Sequence, residues 1–379
     1  MKKLSLVIIT ILLGIGNTYA QDDLNPITTA APFLLIAPDA RAGGLADMGV
    51  ATSPDANAQN YNAAKNAFAS SQWQIGLNYT PWLRNLTNDV SLTSVFVTNR
   101  INEKSAWSAG LKYFSLGTID LTDDIGTPIG TENPNDFSVA GSYAMKLNEN
   151  FSMAVGLRFI RSDMALNIED SDIQAINTFS VDLSGYYQSE EQNYGDFNGK
   201  WRGGFNISNM GPKVELIIGG EESFIPTNLK LGGGFDFILD DVNTITANVE
   251  FNKLLVPTPP IRENGEIIEG KDDNVGFLKG MFQSFYDAPR GFEEELEEVA
   301  WALSAEYMYN QVFSVRTGYF HESPNKGNRQ FFTIGAGFRF RSSTLDLSYL
   351  INASDVTNPL ESTLRFSLSI NLGDVYEYF

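Results

Sequence analysis

The sequence predicts an all-β fold, a 14-stranded antiparallel transmembrane β-barrel with an N-terminal plug-like segment and a long helical external loop. Three observations carry this. Apolar and polar residues alternate with a period of two over many segments of membrane-spanning length, as in strands with one face to lipid and the other to a lumen. The segments are even in number, and the connections between them alternate between tight and long. The chain also opens on a secretory leader and contains no cysteine.

The leader is expected over 1–20. Lys2 and Lys3 precede the apolar run Leu4 to Ile15 and the small-residue end Thr18-Tyr19-Ala20, with cleavage placed after Ala20. The run is too short for a membrane-spanning helix, and no later stretch is long and apolar enough to be one. Without cysteine there is neither a lipid-anchoring thiol nor a disulfide framework. Segment 21–71 is expected to be a periplasmic or luminal plug, because its many small residues suit close packing against a wall; Phe33, Leu34, Leu35, Asp39, Arg41 and Asn62 are its candidate functional residues. The barrel is assigned to 72–379.

Fourteen strands are placed at 72–82, 89–100, 104–116, 135–147, 150–165, 175–189, 198–208, 226–239, 243–254, 299–310, 312–321, 328–341, 343–352 and 361–373. In the fifth, Phe151, Met153, Val155, Leu157 and Phe159 alternate with Ser152, Ala154, Gly156 and Arg158; in the last, Leu364, Phe366, Leu368, Ile370 and Leu372 alternate with Arg365, Ser367, Ser369 and Asn371. A soluble β-sandwich shows similar strings, but rarely so many strands of this length in one sheet. An even count leaves both termini on the periplasmic side, with tight turns there and long loops outside. Arg158, Arg339, Arg365, Asp182, Asp346 and Glu250 face the lumen in this register and favour a polar, plugged interior. Gly232, Gly233 and Gly234 lie within a strand, where they relieve crowding or allow bending rather than hold phosphate.

The longest external loop, 255–298, holds Val275, Phe277, Leu278, Met281, Phe282, Phe285 and Tyr286 at near-helical spacing. Either the loop folds over the barrel mouth and buries them, or they form a wedge for a protein partner, with Met281, Phe282 and Phe285 at its tip. The run Glu293 to Glu298 is expected to solvate the loop base.

Charge and residue inventory exclude several classes. Loss of Lys2 and Lys3 with the leader takes the basic residues from 26 to 24 against 46 acidic ones, so nucleic acid is not an expected partner. The acidic clusters Asp120 to Asp124, Glu169 to Asp172, Glu221-Glu222 and Glu293 to Glu298 read as solvated loops, and none matches an EF-hand calcium loop. The single histidine, His321, stands beside Glu322 and Ser323, but adjacency is not triad geometry and no G-x-S-x-G elbow occurs. No catalytic residue, metal site or cofactor is assigned.

The stretch Asp39 to Gly49, followed by Asp55-Ala56-Asn57-Ala58 and Asn60-Tyr61-Asn62-Ala63-Ala64, resembles the N-terminal signature of the long-chain fatty-acid transporter (FadL-like) superfamily. It departs from that signature where Ala63 follows Asn62 in place of proline. The string Pro32 to Ala56, with Tyr79-Thr80-Pro81-Trp82-Leu83, closely resembles the PorV (LptO) family of type IX secretion outer-membrane barrels, over essentially the whole mature chain. That resemblance implies a non-enzymatic role: capturing cargo by its C-terminal signal domain at a SprA (Sov)-type translocon barrel and passing it to a surface complex with a PorU-type sortase. Outer-membrane lipid is a further expected partner. The alternative is a FadL-like channel for hydrophobic substrates such as long-chain fatty acids, in which Phe33 to Ile36 and the alanine-rich segment move aside.

Overall fold

A backbone crossing a membrane must satisfy every N–H and C=O internally, and a sheet does so only by closing on itself. The computed structural model describes residues 24–83, 87, 89–123, 125–164, 172–354 and 363–376. Fourteen strands form the closed wall: β1 Ser71–Pro81, β2 Ser91–Arg100, β3 Ser105–Ser115, β4 Asn135–Lys146, β5 Phe151–Asp163, β6 Ile176–Gln188, β7 Asn198–Met210, β8 Asn228–Ile238, β9 Asn243–Leu254, β10 Ala300–Tyr309, β11 Phe313–His321, β12 Gln330–Phe340, β13 Ser343–Asn352 and β14 Leu364–Val375. Each pairs antiparallel with its sequence neighbour, and β14 pairs with β1 to close the ring, for example Ile75 with Ile370. The strands fall within about three residues of their predicted bounds. The leader at 1–20 and the acidic residues 124 and 169–170 lie outside the described residues.

Alternation inverts the pattern of a soluble protein. On β5 the apolar Val155 and Leu157 are exposed while Arg158 and Ser152 are buried, and on β6 Phe179 is exposed beside the buried Ser180. An apolar band faces outward and polar side chains face the lumen, as a lipid-embedded barrel requires. Aromatic residues collect near both rims of that band. Trp73, Trp107 and Trp201 lie toward one end, and Tyr79, Tyr113 and Trp301 toward the other. Among the described residues no helix is long and apolar enough to cross a membrane; the strands do so.

The connections 101–104, 147–150, 239–242, 310–312 and 341–342 are tight and share one end of the barrel. Asp240 closes one by accepting from the backbone N–H groups of Val242 and Asn243, and Arg341 closes another in the left-handed region at φ 54°. The connection 189–197 lies at this end too and is the exception in length; the other connections gather at the opposite end.

Residues 24–69 run through the interior rather than beneath it. Leu34 and Phe33 sit in a 3₁₀ turn (Pro32–Leu35) at the long-loop end, followed by the short helices α1 (Ala40–Gly43) and α2 (Ala58–Tyr61) and a second 3₁₀ turn (Ala63–Phe68) that leads into β1 at the tight-turn end. The expectation of both termini on one side therefore needs correction. The Asn25 N–H donates to the carbonyl of Asn325 in a long loop, while the Tyr376 N–H donates to that of Ser70 at the opposite mouth. An even strand count places only the ends of the barrel wall on one side; the preceding segment has crossed the lumen.

The external loop is less helical than expected. It comprises a hairpin, Ile261–Glu263 with Glu266–Glu269, and two short helices, α3 (Phe277–Gln283) and α4 (Phe292–Glu297).

Candidate functional site

Two regions carry the candidate residues: the luminal segment and the external loop. Small residues let the segment approach the wall at backbone distance. A Cβ built on Gly204 would lie 2.4 Å from the Val50 carbonyl oxygen, and one on Gly232 2.6 Å from the Val50 side chain. Gly44 meets Gly335 on β12 and Ala46 meets Gly318 on β11 in the same way. Glycines within the sheet thus give room to a second backbone, which is more specific than general relief of crowding.

Polar wall residues hold that backbone. Glu250 accepts from the N–H groups of both Gly49 and Val50 at 2.9 Å, and Lys112 donates to the carbonyls of Leu34 and Ile36. Asn62 donates to the carbonyls of Val50 and Gly185 and accepts from the Ala64 N–H, capping the second 3₁₀ turn. Asp39 caps α1 through the Ala42 N–H and receives the Tyr61 hydroxyl at 2.6 Å.

Within the lumen the charges pair with one another, five of them in one connected set. Arg316 on β11 bridges Glu306 at 2.8 Å and Asp346 at 2.6 Å, and Arg41 of the segment reaches Asp55 at 2.5 Å and Glu306 at 3.5 Å. Arg365 pairs with Asp47, and Arg158 with Asp182. Such pairs persist in a buried site only with good geometry and complementary partners; Arg316 has both, whereas among the described residues the buried Nε atoms of Arg158 and Arg365 have no hydrogen-bond partner. Arg339 stands at the tight-turn mouth of the lumen, lining one small cavity with Arg41, Arg316 and Asp346.

Toward the long-loop end the interior turns apolar. Phe33 and Leu34 pack with Trp82, Leu92, Phe114 and Ile160. Leu35 is half-buried and lines a cavity of about 470 Å³ together with Ile36, Met48, Trp82, Phe320 and Phe331, and charged side chains, among them Asp47, Lys230, Glu250, Glu322, Lys326 and Arg329, share the lining. The six predicted residues of the segment thus lie within the barrel in two groups, three in or beside the apolar cluster and three in the polar anchorage.

The external loop rests on a buried ionic base. Lys253, on the outer face of β9, binds Glu298 at 2.6 Å and Glu295 at 3.1 Å. Lys326, from the β11–β12 connection, binds Glu294 and Glu298, and Asn25 donates to Glu294. The expectation that Glu293 to Glu298 solvates the loop is corrected here: Glu294, Glu295 and Glu298 are buried and clamp the loop to the wall and to the segment's first turns. The clamp's cations come from residues distant in sequence, which the acidic run alone does not reveal. Lys326 and its partners hold Glu294 below its ordinary range despite burial. Burial and the neighbouring Glu295 carboxylate push Asp287 up to about 6.

Above this base Leu278, Phe282 (65 %), Phe285 and Tyr286 are exposed, whereas Phe277 and Met281 are half-buried and Val275 is buried. Met281 is therefore not at the tip. Phe292 (75 %) and Leu296 (57 %) on α4 join the exposed set and were hidden in the sequence by the surrounding glutamates. His321 stacks on Trp301, and Glu322 is engaged by Arg329 at 2.8 Å.

Comparison with known proteins agrees with this architecture. No curated protein sequence matches the chain. Among solved structures, a mutant of the monoaromatic hydrocarbon channel TodX aligns with a TM-score of 0.51 at 10% identity, covering 88% of this chain and 99% of that one. The CymD monoaromatic hydrocarbon channel aligns at 0.50 and 11% identity, covering 90% and 99%. A Pseudomonas aeruginosa FadL homologue aligns at 0.44 and 13%, covering 91% and 98%. At these identities the first two show a shared barrel fold. The family described as "Type IX secretion system protein PorV" matches residues 19–261, well over half of the chain. A closed outer-membrane barrel whose sequence matches over that length is a transport component, and the chain belongs to the PorV family of type IX secretion proteins.

Proposed function

We propose that this barrel is the cargo-carrying component of type IX secretion. It captures cargo by its C-terminal signal domain as that cargo leaves a SprA (Sov)-type translocon barrel, and delivers it to the PorU-type sortase complex at the surface. The observation that supports this best is the exposed apolar face formed by Leu278 and Phe282 of α3 and by Tyr286 just beyond it, above a buried ionic base at the long-loop end. Large aromatic side chains held out from a stable platform are the usual anchors of protein interfaces. In this reading the tight-turn end is periplasmic, segment 24–69 serves as a plug, and the lumen carries no cargo. Affinity purification from native outer membranes, comparing wild type with the double variant Phe282→Asp/Tyr286→Asp, tests it. Recovery of a very large barrel and secreted cargo with wild type, reduced at least tenfold in the variant, is the expected result. Equal recovery by both would remove α3 from the interface, and recovery of neither partner with wild type would overturn the reading.

A second reading, a channel for hydrophobic substrates, draws on the cavity of about 470 Å³ behind Phe33 to Ile36, which is apolar on most sides. Co-purified fatty acid in place of protein would favour it.

A further inference from the structure

The loop 255–298 does not stand wholly above the barrel. Its α4 helix lies along the rim of the wall, with Glu294 and Glu298 turned to Lys326 and the luminal segment and with Phe292, Glu295 and Leu296 turned to the outer face of β8 and β9. Lys253, which binds Glu295 and Glu298, alternates along β9 with the luminal Glu250 and Asn252 and so projects outward with Phe251. Between α4 and the strands runs a groove of about 260 Å³ lined by Leu231, Phe251, Phe285, Phe292, Leu296 and Val299. Leu231 and Phe251 belong to the outward band that faces lipid, and both are exposed. The groove is thus continuous with the barrel's lipid-facing surface, with one wall from β8 and β9 and the other from the loop.

Its polarity fits the same neighbour. Lys253 is the cation this outer face would otherwise present to lipid, and both carboxylates that neutralise it come from α4 and its C-terminal cap. The groove's remaining side chains are almost all hydrocarbon.

We propose that this groove seats an acyl chain of an outer-leaflet lipid, so that α4 lies in the membrane interface and anchors the loop there while α3 stays free above it. The apolar residues of the loop thereby divide by solvent: Phe285, Phe292 and Leu296 serve lipid, and Leu278, Phe282 and Tyr286 face water. The inference rests on the barrel fold and not on the secretion reading.

The absence of cysteine makes the test direct. Phe292→Cys, Leu296→Cys, the lipid-facing control Val249→Cys and the aqueous control Leu278→Cys are each labelled with bimane in the full-length protein. Each is reconstituted in phosphatidylethanolamine and phosphatidylglycerol vesicles, and heat-modifiable gel mobility verifies the fold. Lipids carrying a nitroxide near the top of the acyl chain are expected to quench the label at 292 and 296 as strongly as at 249, and at least twofold more than at 278. Quenching equal to that at 278 would place α4 in water and overturn the proposal. Protection from both this lipid and a water-soluble nitroxide, with blue-shifted emission, would show that protein covers the groove, a second copy included, and would overturn it equally.

Discussion

Gly203 and Gly204 are adjacent on β7 and meet different surroundings. Gly203 faces outward, and a methyl added to it would approach its nearest neighbour only to 4.0 Å, whereas a methyl on Gly204 would collide with the Val50 carbonyl. Gly203→Ala should leave stability within about 0.5 kcal/mol. Gly204→Ala should cost about 1–3 kcal/mol, because the luminal segment or the strand must shift. Denaturant-dependent gel mobility of the two variants checks this. Asp287 supplies a second effect at this scale. Its carboxyl is raised from 3.8 to about 6 in the folded loop by burial and by Glu295 and Glu298, offset in part by hydrogen bonds from Gln283 and the Thr258 N–H. A carboxyl raised on folding binds its proton more tightly in the folded state, so the loop is favoured with Asp287 neutral and loses that advantage as pH rises through about 6. Glu294 works in the opposite sense, its stabilisation being lost only as pH falls through its depressed value. Hydrogen exchange over 255–298 should therefore show greatest protection near pH 5 and less at pH 8, and Asp287→Asn should remove most of that decline.

At the scale of elements, the luminal segment is held by charge as much as by packing. Arg316 neutralises Glu306 and Asp346 together, and Glu306 also faces Arg41 at 3.5 Å. Arg316→Met leaves Asp346 unpaired and Glu306 with a single longer contact, a change of the kind that costs about 3–5 kcal/mol in a buried site. Planar-bilayer recordings should then show larger and noisier conductance than wild type, since Arg316 ties β10, β11 and β13 together on the face that Arg41 meets, and its loss leaves unneutralised carboxylates facing the segment. A variant with wild-type conductance and stability would show that the backbone anchors of Glu250, Lys112 and Asn62 suffice alone. The loop helices behave differently. Both are too short to persist by propensity, so α3 and α4 depend on the clamp of Lys253 and Lys326 for their place.

On the scale of the whole molecule, barrel, segment and loop form one connected structure. Asn25 binds both the β11–β12 connection and Glu294, so the start of the luminal segment and the base of the external loop share one set of contacts. Displacement of the long-loop base is thus tied mechanically to the segment that fills the lumen. Much of this was legible in the residues. The strands were, because a period of two between lipid and lumen is imposed residue by residue, and turn residues mark the ends. The lumen-facing set Arg158, Arg365, Asp346 and Glu250 was legible for the same reason.

Other features depend on which distant residues meet. Glu294, Glu295 and Glu298 look solvated in sequence and are buried because Lys253 and Lys326 reach them across the fold. Phe292 and Leu296 look like parts of a charged run and instead line a groove shared with β8 and β9. The path of residues 24–69 through the lumen follows from glycines on β7, β8, β11 and β12 that leave space for a second backbone. Alternation and composition are local properties, so the sequence by itself determined the barrel, its strand count and its two faces. Neutralisation of buried charge and contact between backbones are pairwise properties of residues far apart in the chain, so only the tertiary structure decided where the N-terminal segment runs and which face of the loop lies against the barrel wall.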